Sequence, residues 1–319
     1  MPASYLYQDQ FIQTYKRLRD RIIKEILDLN YFQSLSEAAY RKAVKRYSTS
    51  LPTLSPVDSE IIETLYHEGV YITSLENLEV SSTPLLTNAC QNLLPKLLAV
   101  SPKSEKQFSI HASSSQLMEY PEIFNWGLEE KFLNIIENYL SLPVAFHGLY
   151  FRRDLANSVE RNSRLWHLDR EDRRMLKIII YLNDVSEEGG AFQYIPRSLT
   201  AKAFKSLKYD YGNKTDKYIN DKTMEDVIPK SQWKSCVGAS GTVVFADTAS
   251  IFHRGKVPVS SERFSLFFDY TSRRPKRPNY CNTRFSVNEL TTLSQKLSKR
   301  QKECIWGNHK LLFGLNSFV

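Results

Sequence analysis

Residues 164–184 read RLWHLDREDRRMLKIIIYLND, and two segments inside this stretch decide the reading of the chain. MLKIIIYLND (175–184) has the density of Ile, Leu and Tyr that marks a β-strand. RLWHLD (164–169) sets His167 and Asp169 two positions apart. In a strand that spacing turns both side chains to one face.

Similar segments follow outward from this stretch. VAFHGLYFRR (144–153), GAFQYIP (190–196), GTVVFAD (241–247) and RFSLFFDYT (263–271) read as further strands, and Glu188-Gly189-Gly190 as a hairpin turn. Six or more strands imply a sandwich or barrel. Before residue 142 the chain reads as helical. Phe11, Tyr15, Leu18, Ile22 and Ile26 form an apolar stripe, and a second helix is expected over SEAAYRKAVKRY (36–47), with Ser34 and Glu37 at capping-box spacing. STSLPTLSP (48–56), with Pro52 and Pro56, ends it. DSEIIETLYHE (58–68) closed by Gly69, a helix opened by Thr83-Pro84, and residues 127–140 complete the helical part. NELTTLSQKLSKRQKE (288–303) reads as one last amphipathic helix. The expected organisation is a single domain over 1–319. It has a mainly helical part (1–142), a strand core (143–274) interrupted by a polar insertion (199–240) that reads as a lid or binding loop, and a basic extension (275–319).

A histidine and a carboxylate on one strand face need a second histidine to occupy one face of an octahedral iron(II), leaving three positions for chemistry. His253, in FADTASIFHRG (245–255), is the candidate, delivered by the strand just before it. The remaining histidines, His67, His111, His147 and His309, lack an adjacent carboxylate in this pattern. Arg263 follows His253 by ten positions and shares a strand face with Ser265 and Phe267. A guanidinium and a hydroxyl side by side grip a carboxylate, and the distal carboxylate of 2-oxoglutarate suits them. Lys177 and Tyr181 share a face and are candidates for lining the pocket near that cosubstrate, with an outward, solvated position as the alternative. Arg152 and Arg254 are weaker candidates for anchoring an anionic substrate.

From Arg164 to Thr271 the order WHLD, KIIIYLNDVSEEGGAFQYIPRS, GTVVFADTASIFHRG and the ten-residue step to Arg263-x-Ser265 resembles the phytanoyl-CoA dioxygenase-like branch of the iron(II) and 2-oxoglutarate dependent oxygenases. The resemblance covers about a third of the chain. It implies an α+β fold whose core is a double-stranded β-helix, a cupin-like jelly-roll with supporting helices. It also implies that His167, Asp169 and His253 hold Fe(II) and that Arg263 and Ser265 hold 2-oxoglutarate. O2 is then consumed, with ascorbate as reductant, and succinate and CO2 are released as an unactivated C–H bond is hydroxylated, with desaturation or ring closure as the related outcomes. Halogenating relatives replace the carboxylate by a small residue; Asp169 is present here.

Composition narrows the alternatives. At 319 residues, 42% hydrophobic and 12% aromatic, the chain has ample material for a core. Cys90, Cys236, Cys281 and Cys304 form no Cys-x-x-Cys pair, so the thiols are expected reduced in a cytoplasm. MPASYLYQDQFIQTYKRLRDR (1–21) lacks a signal peptide's apolar core, and no run nears the roughly 20 apolar residues of a membrane span. The net charge is +8, and residues 263–319 hold eleven Lys and Arg against three Asp and Glu, so this tail carries the excess. Without a recognised nucleic-acid module, the cluster Arg273, Arg274, Lys276 and Arg277 reads as a solvated surface. A small-molecule substrate is the leading expectation. The same chemistry on a macromolecular or carrier-bound substrate, a non-catalytic jelly-roll, and a cosubstrate-free cupin-like metalloenzyme are the alternatives.

Overall fold

The computed structural model describes residues 30–209 and 218–314, and its contacts divide the chain after Ser50. Ahead of that division lie helix α1 (Asn30–Tyr47) and a single 3-10 turn (Ser48–Ser50). Helix α1 starts four residues before Ser34, so the Ser34/Glu37 spacing falls inside a helix and not at its start. The apolar stripe from Phe11 to Ile26 lies outside the described residues.

After the division, α2 (Pro56–His67) is capped by Ser55, whose side chain accepts from the Asp58 N–H at 3.1 Å. Pro56 thus begins a helix, where its missing N–H costs nothing. Gly69 (φ +83°) lets the chain leave this helix directly into β1 (Val70–Ser74). Helix α3 (Thr83–Leu98), strand β2 (Ser109–His111), α4 (Ser114–Met118), α5 (Pro121–Trp126) and α6 (Glu130–Leu140) follow. β1 and β2 fall in the part read as helical, because three to five residues without strict alternation carry almost no strand signal.

Beyond Pro143 come β3 (Val144–Asp154), β4 (Leu176–Tyr181), β5 (Phe192–Tyr194), α7 (Arg197–Ser206), α8 (Asp221–Glu225), β6 (Lys234–Cys236), β7 (Thr242–Asp247), β8 (His253–Gly255) and β9 (Arg263–Ser272). Two antiparallel sheets result, with order β1-β7-β4-β9-β3-β2 in one and β6-β5-β8 in the other. RLWHLD contributes paired residues but no full strand: Trp166 bridges Ile219, and His167 bridges His253 beside β8. The chain therefore passes repeatedly from sheet to sheet. β4 pairs with β7 and β9 while β5 pairs with β6 and β8, so Glu188-Gly189-Gly190 turns the chain from one sheet to the other and is not a hairpin.

Both faces of the large sheet are covered. On β4, Leu176, Ile178 and Ile180 join a core with Trp126, Phe132 and Ile136 from α5 and α6, while Ile179 and Tyr181 point between the sheets with Phe192, Val244 and Ile251. β9 divides in the same way, with Phe264, Leu266, Phe268 and Tyr270 on the helix side. This two-sided burial explains the uninterrupted apolar runs of the sequence. The polar insertion is largely ordered where described. Ala203, Met224 and Ile228 pack with Trp166, Leu168 and Phe252 as a third core, and β6 within it belongs to the smaller sheet. The basic extension forms two helices and not one, α9 (Val287–Ser294) and α10 (Lys299–Gly314), with Leu290, Leu293 and Ile305 buried in the main core. Among the described residues, no helix is long and apolar enough to cross a membrane.

Phe268 is fully buried between Trp126, at 5.3 Å between ring centroids, and Phe146, at 6.4 Å. Phe268→Ala is expected to cost roughly 3–5 kcal/mol. Urea denaturation of both proteins measures it.

Candidate metal centre

His167 and His253 face each other across two backbone hydrogen bonds, His167 N–H to His253 C=O at 3.1 Å and His253 N–H to His167 C=O at 3.0 Å. Directly opposed residues of an antiparallel pair project their side chains together, and the two imidazole centroids lie 4.3 Å apart. Each ring is oriented by its own chain. His167 Nδ1 donates to the Leu165 carbonyl at 2.8 Å and His253 Nδ1 to the Ile251 carbonyl at 3.1 Å. A carbonyl can only accept, so both Nδ1 atoms carry the proton and each Nε2 presents a lone pair, the arrangement a metal-ligating imidazole has. Asp169 completes the group, with Oδ1 3.8 Å from His167 Nε2 and Oδ2 3.9 Å from His253 Nε2. The three donor atoms lie within 4.8 Å of one another. Two neutral imidazoles and a carboxylate at that separation suit a borderline divalent ion such as iron. Burial pushes the Asp169 carboxyl up, but the ammonium of Lys177, 2.9 Å away, leads what outweighs it and holds it below its ordinary range.

The two histidines of the triad, with Lys177 beside Asp169, line a cavity of about 220 Å³ between the sheets. Register lays out the large-sheet wall in rows: Asp154 opposite Arg263, then Arg152 opposite Ser265 and Tyr181, then Tyr150 opposite Phe267 and Ile179, then Gly148 opposite Asp269 and Lys177. The cavity thus has a guanidinium end, an apolar middle and a carboxylate-and-ammonium end.

At the first end Asp154 is shared. Its Oδ2 accepts from Arg263 Nη2 at 2.8 Å and its Oδ1 from Arg152 Nε at 2.8 Å. Arg263 also donates to the Gly190 carbonyl, and its guanidinium lies so close to Gly255 that a Cβ there would stand 2.7 Å from Nη2. The guanidinium is therefore beside β8, two residues along from His253. Burial pushes the Asp154 carboxyl up, yet Arg152 and Arg263 outweigh that and hold it at about 2. Two buried guanidiniums against one carboxylate leave an unbalanced positive charge at this end, which an anion would balance.

The remaining residues singled out in the sequence separate clearly. Lys177 lines the cavity. Tyr181, on the same face of β4, is enclosed deeper: its hydroxyl donates to the Cys236 carbonyl at 2.7 Å and accepts from the Phe192 N–H at 3.0 Å. Ser265 is fully buried, with a hydroxyl that has no partner among the described residues, next to Arg152 in register but not in the cavity wall. Arg254 is taken up by Gln193 at 2.9 Å, Asp221 and the rings of Trp166 and Trp233. His147 bonds Thr271 Oγ1 at 2.7 Å, away from the triad.

Sequence reading missed four lining or supporting acids and bases: Asp154, Glu171, Asp269 and His111. Asp269 continues the odd-numbered face of β9 that holds Arg263, Ser265 and Phe267, so extending that alternation by one step would have found it. His111 lies opposite Arg152 on β2, and burial together with Arg152 and Arg284 lowers its imidazole to about 3, so it is neutral. Burial and the nearby Asp169 raise the Glu171 carboxyl to about 7, and burial raises that of Asp269 to about 6.

No family model matches this chain, and no curated protein matches it. Solved structures similar to it include HygX from Streptomyces hygroscopicus with nickel and 2-oxoglutarate bound, at 14% identity over 69% of this chain and 88% of that one, TM-score 0.44. EctD from S. alaskensis with 2-oxoglutarate and 5-hydroxyectoine has 16% identity over 70% and 77%, TM-score 0.46. SnoN, a non-heme alpha ketoglutarate dependent epimerase from nogalamycin biosynthesis, has 11% identity over 68% and 83%, TM-score 0.43. At these scores the likeness settles neither fold nor chemistry, and both rest on the residues themselves.

The triad should bind one Co(II) per chain, read from its visible absorption. His167→Ala or Asp169→Ala should weaken binding by more than the roughly 10–100-fold that loss of an outer partner costs. The Asp154 cluster makes a separate demand on stability. Asp154→Ala leaves two buried guanidiniums uncompensated and should cost roughly 3–5 kcal/mol in urea denaturation. The folded carboxyl titrates at about 2, below the ordinary value near 3.9, so its contribution is complete above roughly pH 4 and is lost as pH falls through about 2. Asp154→Asn should lack that part of the acid-side slope.

Proposed function

We propose that the chain is an Fe(II)/2-oxoglutarate-dependent dioxygenase of the phytanoyl-CoA dioxygenase-like kind, hydroxylating an unactivated C–H bond of a small molecule with release of succinate and CO2. The observation that carries this reading is the placement of two Nε2 atoms and a carboxylate within 4.8 Å of one another, on a cavity whose wall also presents Arg263 beside Gly255. A metal-binding scaffold has no use for the second feature, and a carboxylate-binding protein has none for the first. The passage of the chain from sheet to sheet between β3 and β9 supports a double-stranded β-helix as the architecture.

The residues fit the implied groups. His167 and His253, with protons fixed on Nδ1, and Asp169, ionised beside Lys177, would hold iron(II). Together with 2-oxoglutarate and O2, bound iron supplies oxidative decarboxylation and C–H oxidation, with ascorbate as an external reductant. Arg263 would take the distal carboxylate of 2-oxoglutarate, with the unpartnered Ser265 hydroxyl on the same strand face behind the cavity wall, where it would reach the carboxylate only if that wall opened. Asp154 fixes the guanidinium plane without fully neutralising it, since Arg152 shares the same carboxylate. Ile179, Phe192 and Phe267 line the cavity and exclude water from the reacting centre. Asp169 keeps the position that a halogenase would give to chloride, which favours hydroxylation, or a related desaturation or ring closure, over halogenation. A cavity of about 220 Å³ favours a small molecule, or a small group of a larger one. Four buried, unpaired thiols fit a reducing cytoplasm.

Anaerobically purified protein given iron(II), ascorbate, 2-oxoglutarate and oxygen should form succinate slowly without a prime substrate. His253→Ala should abolish it, and Arg263→Ala should raise the KM for 2-oxoglutarate at least tenfold, the scale of a lost charge-assisted pair of hydrogen bonds of roughly 1.5–3 kcal/mol. Succinate formation unaffected by His253→Ala would defeat the assignment.

A further inference from the structure

We infer that the end of the cavity opposite Arg263 is a cation subsite, in which Asp269 and Glu171 bind an organic ammonium group of the substrate. The inference rests on the dioxygenase reading for the word substrate, but its structural basis is separate from the metal ligands.

Asp269 is 6% exposed, lines the cavity, and has an Oδ1 that is buried and without a hydrogen-bond partner among the described residues. A buried carboxylate oxygen left unpaired is expensive, and structures retain one where something else completes it. The positive groups nearby do not do so. Lys177 Nζ lies 2.9 Å from Asp169 Oδ2 but 3.9 Å from Asp269 Oδ2, beyond hydrogen-bond distance. Arg284 is exposed and stacks its guanidinium 4.4 Å from the centre of the Tyr150 ring. Glu171 lines the same cavity, with backbone N–H groups of its own turn, Arg170 N–H at 2.7 Å among them, donating to its carboxylate and no ion pair to a cationic side chain among the described residues. Two carboxylates therefore face one ammonium that is already engaged.

The chemistry of the wall sets the class of ligand. The guanidinium end selects an anion, and the dioxygenase reading fills it with 2-oxoglutarate. The carboxylate end disfavours a second anion and a neutral group alike, because neither completes Asp269 Oδ1 with charge. Tyr150 and Phe267, opposite each other in register between the two ends, offer apolar surface for the body of the molecule. An amine with an apolar body, protonated near neutral pH, satisfies each of these features. Burial already holds the Asp269 carboxyl up to about 6, and a bound ammonium would return it toward its ordinary range.

The test uses three probes of similar shape, phenethylammonium, 2-phenylethanol and 3-phenylpropionate, titrated calorimetrically into the full-length protein at pH 7.5. The expected result is at least tenfold tighter binding of the ammonium than of the alcohol and no preference for the carboxylate. Asp269→Asn should erase the preference and Glu171→Gln should reduce it, with thermal melts showing that each variant is folded; if one fails to fold, the other decides. Equal or weaker binding of the ammonium, including no binding by any probe, or a preference that survives in the folded variants, overturns the subsite. The readout needs no turnover. A clear ammonium preference without succinate formation would keep the subsite and reject the dioxygenase reading, and succinate formation without the preference would do the reverse.

Discussion

Two backbone hydrogen bonds between His167 and His253 are the constraint on which both the second sheet and the candidate centre depend. They attach the segment after β3 to the edge of β8, and the Trp166–Ile219 bridge beside them ties the insertion to the same place. Because the pair is directly opposed, imidazole spacing follows from strand geometry and not from side-chain freedom. Asp169 then arrives on the same face two residues later, its N–H held by the Thr248 carbonyl at 2.9 Å. The site is thus built on backbone pairing, the most rigid support available to it.

The charges in the cavity are arranged around that support rather than scattered. Asp154 keeps two guanidiniums in place at one end, and Lys177 stands between Asp169 and Asp269 at the other. Each group would be costly alone in so enclosed a space, and each has a counter-charge within about 4 Å, yet neither end is balanced. That incomplete compensation is what the proposed charged ligands would complete, one at each end.

Much of this was legible in the sequence for definite reasons. His167 and Asp169 stand two apart in an extended segment that pairs through His167, so their alternation was enough to bring them together, while the approach of Arg263 to β8 depends on sheet packing that a ten-residue spacing only marks. The runs of β4, β7 and β9 were equally plain because both faces are buried. What escaped was non-local or short. Asp154 acquires its role only from pairing with β9, more than a hundred residues later, and β1, β2 and β6 are held by neighbours more than by their own residues. Glu188-Gly189-Gly190 looked like a hairpin because glycines signal a turn without saying which sheet the next strand will join. Tyr181 shares the face of Lys177 by alternation, but its depth between the sheets, set by Cys236 and Phe192, has no local signature.

β9 has a division of labour with a consequence for descent. Its even-numbered residues from Phe264 to Tyr270 anchor the helices, while Arg263, Phe267 and Asp269, at odd positions, face the ligand cavity. Selection on what the cavity accepts and selection on whether the chain folds therefore act on interleaved but distinct letters of one strand. A lineage can exchange Phe267 or Asp269 for another chemistry without touching the hydrophobic anchors on the helix side, so what the cavity accepts can change by single steps with that core left intact.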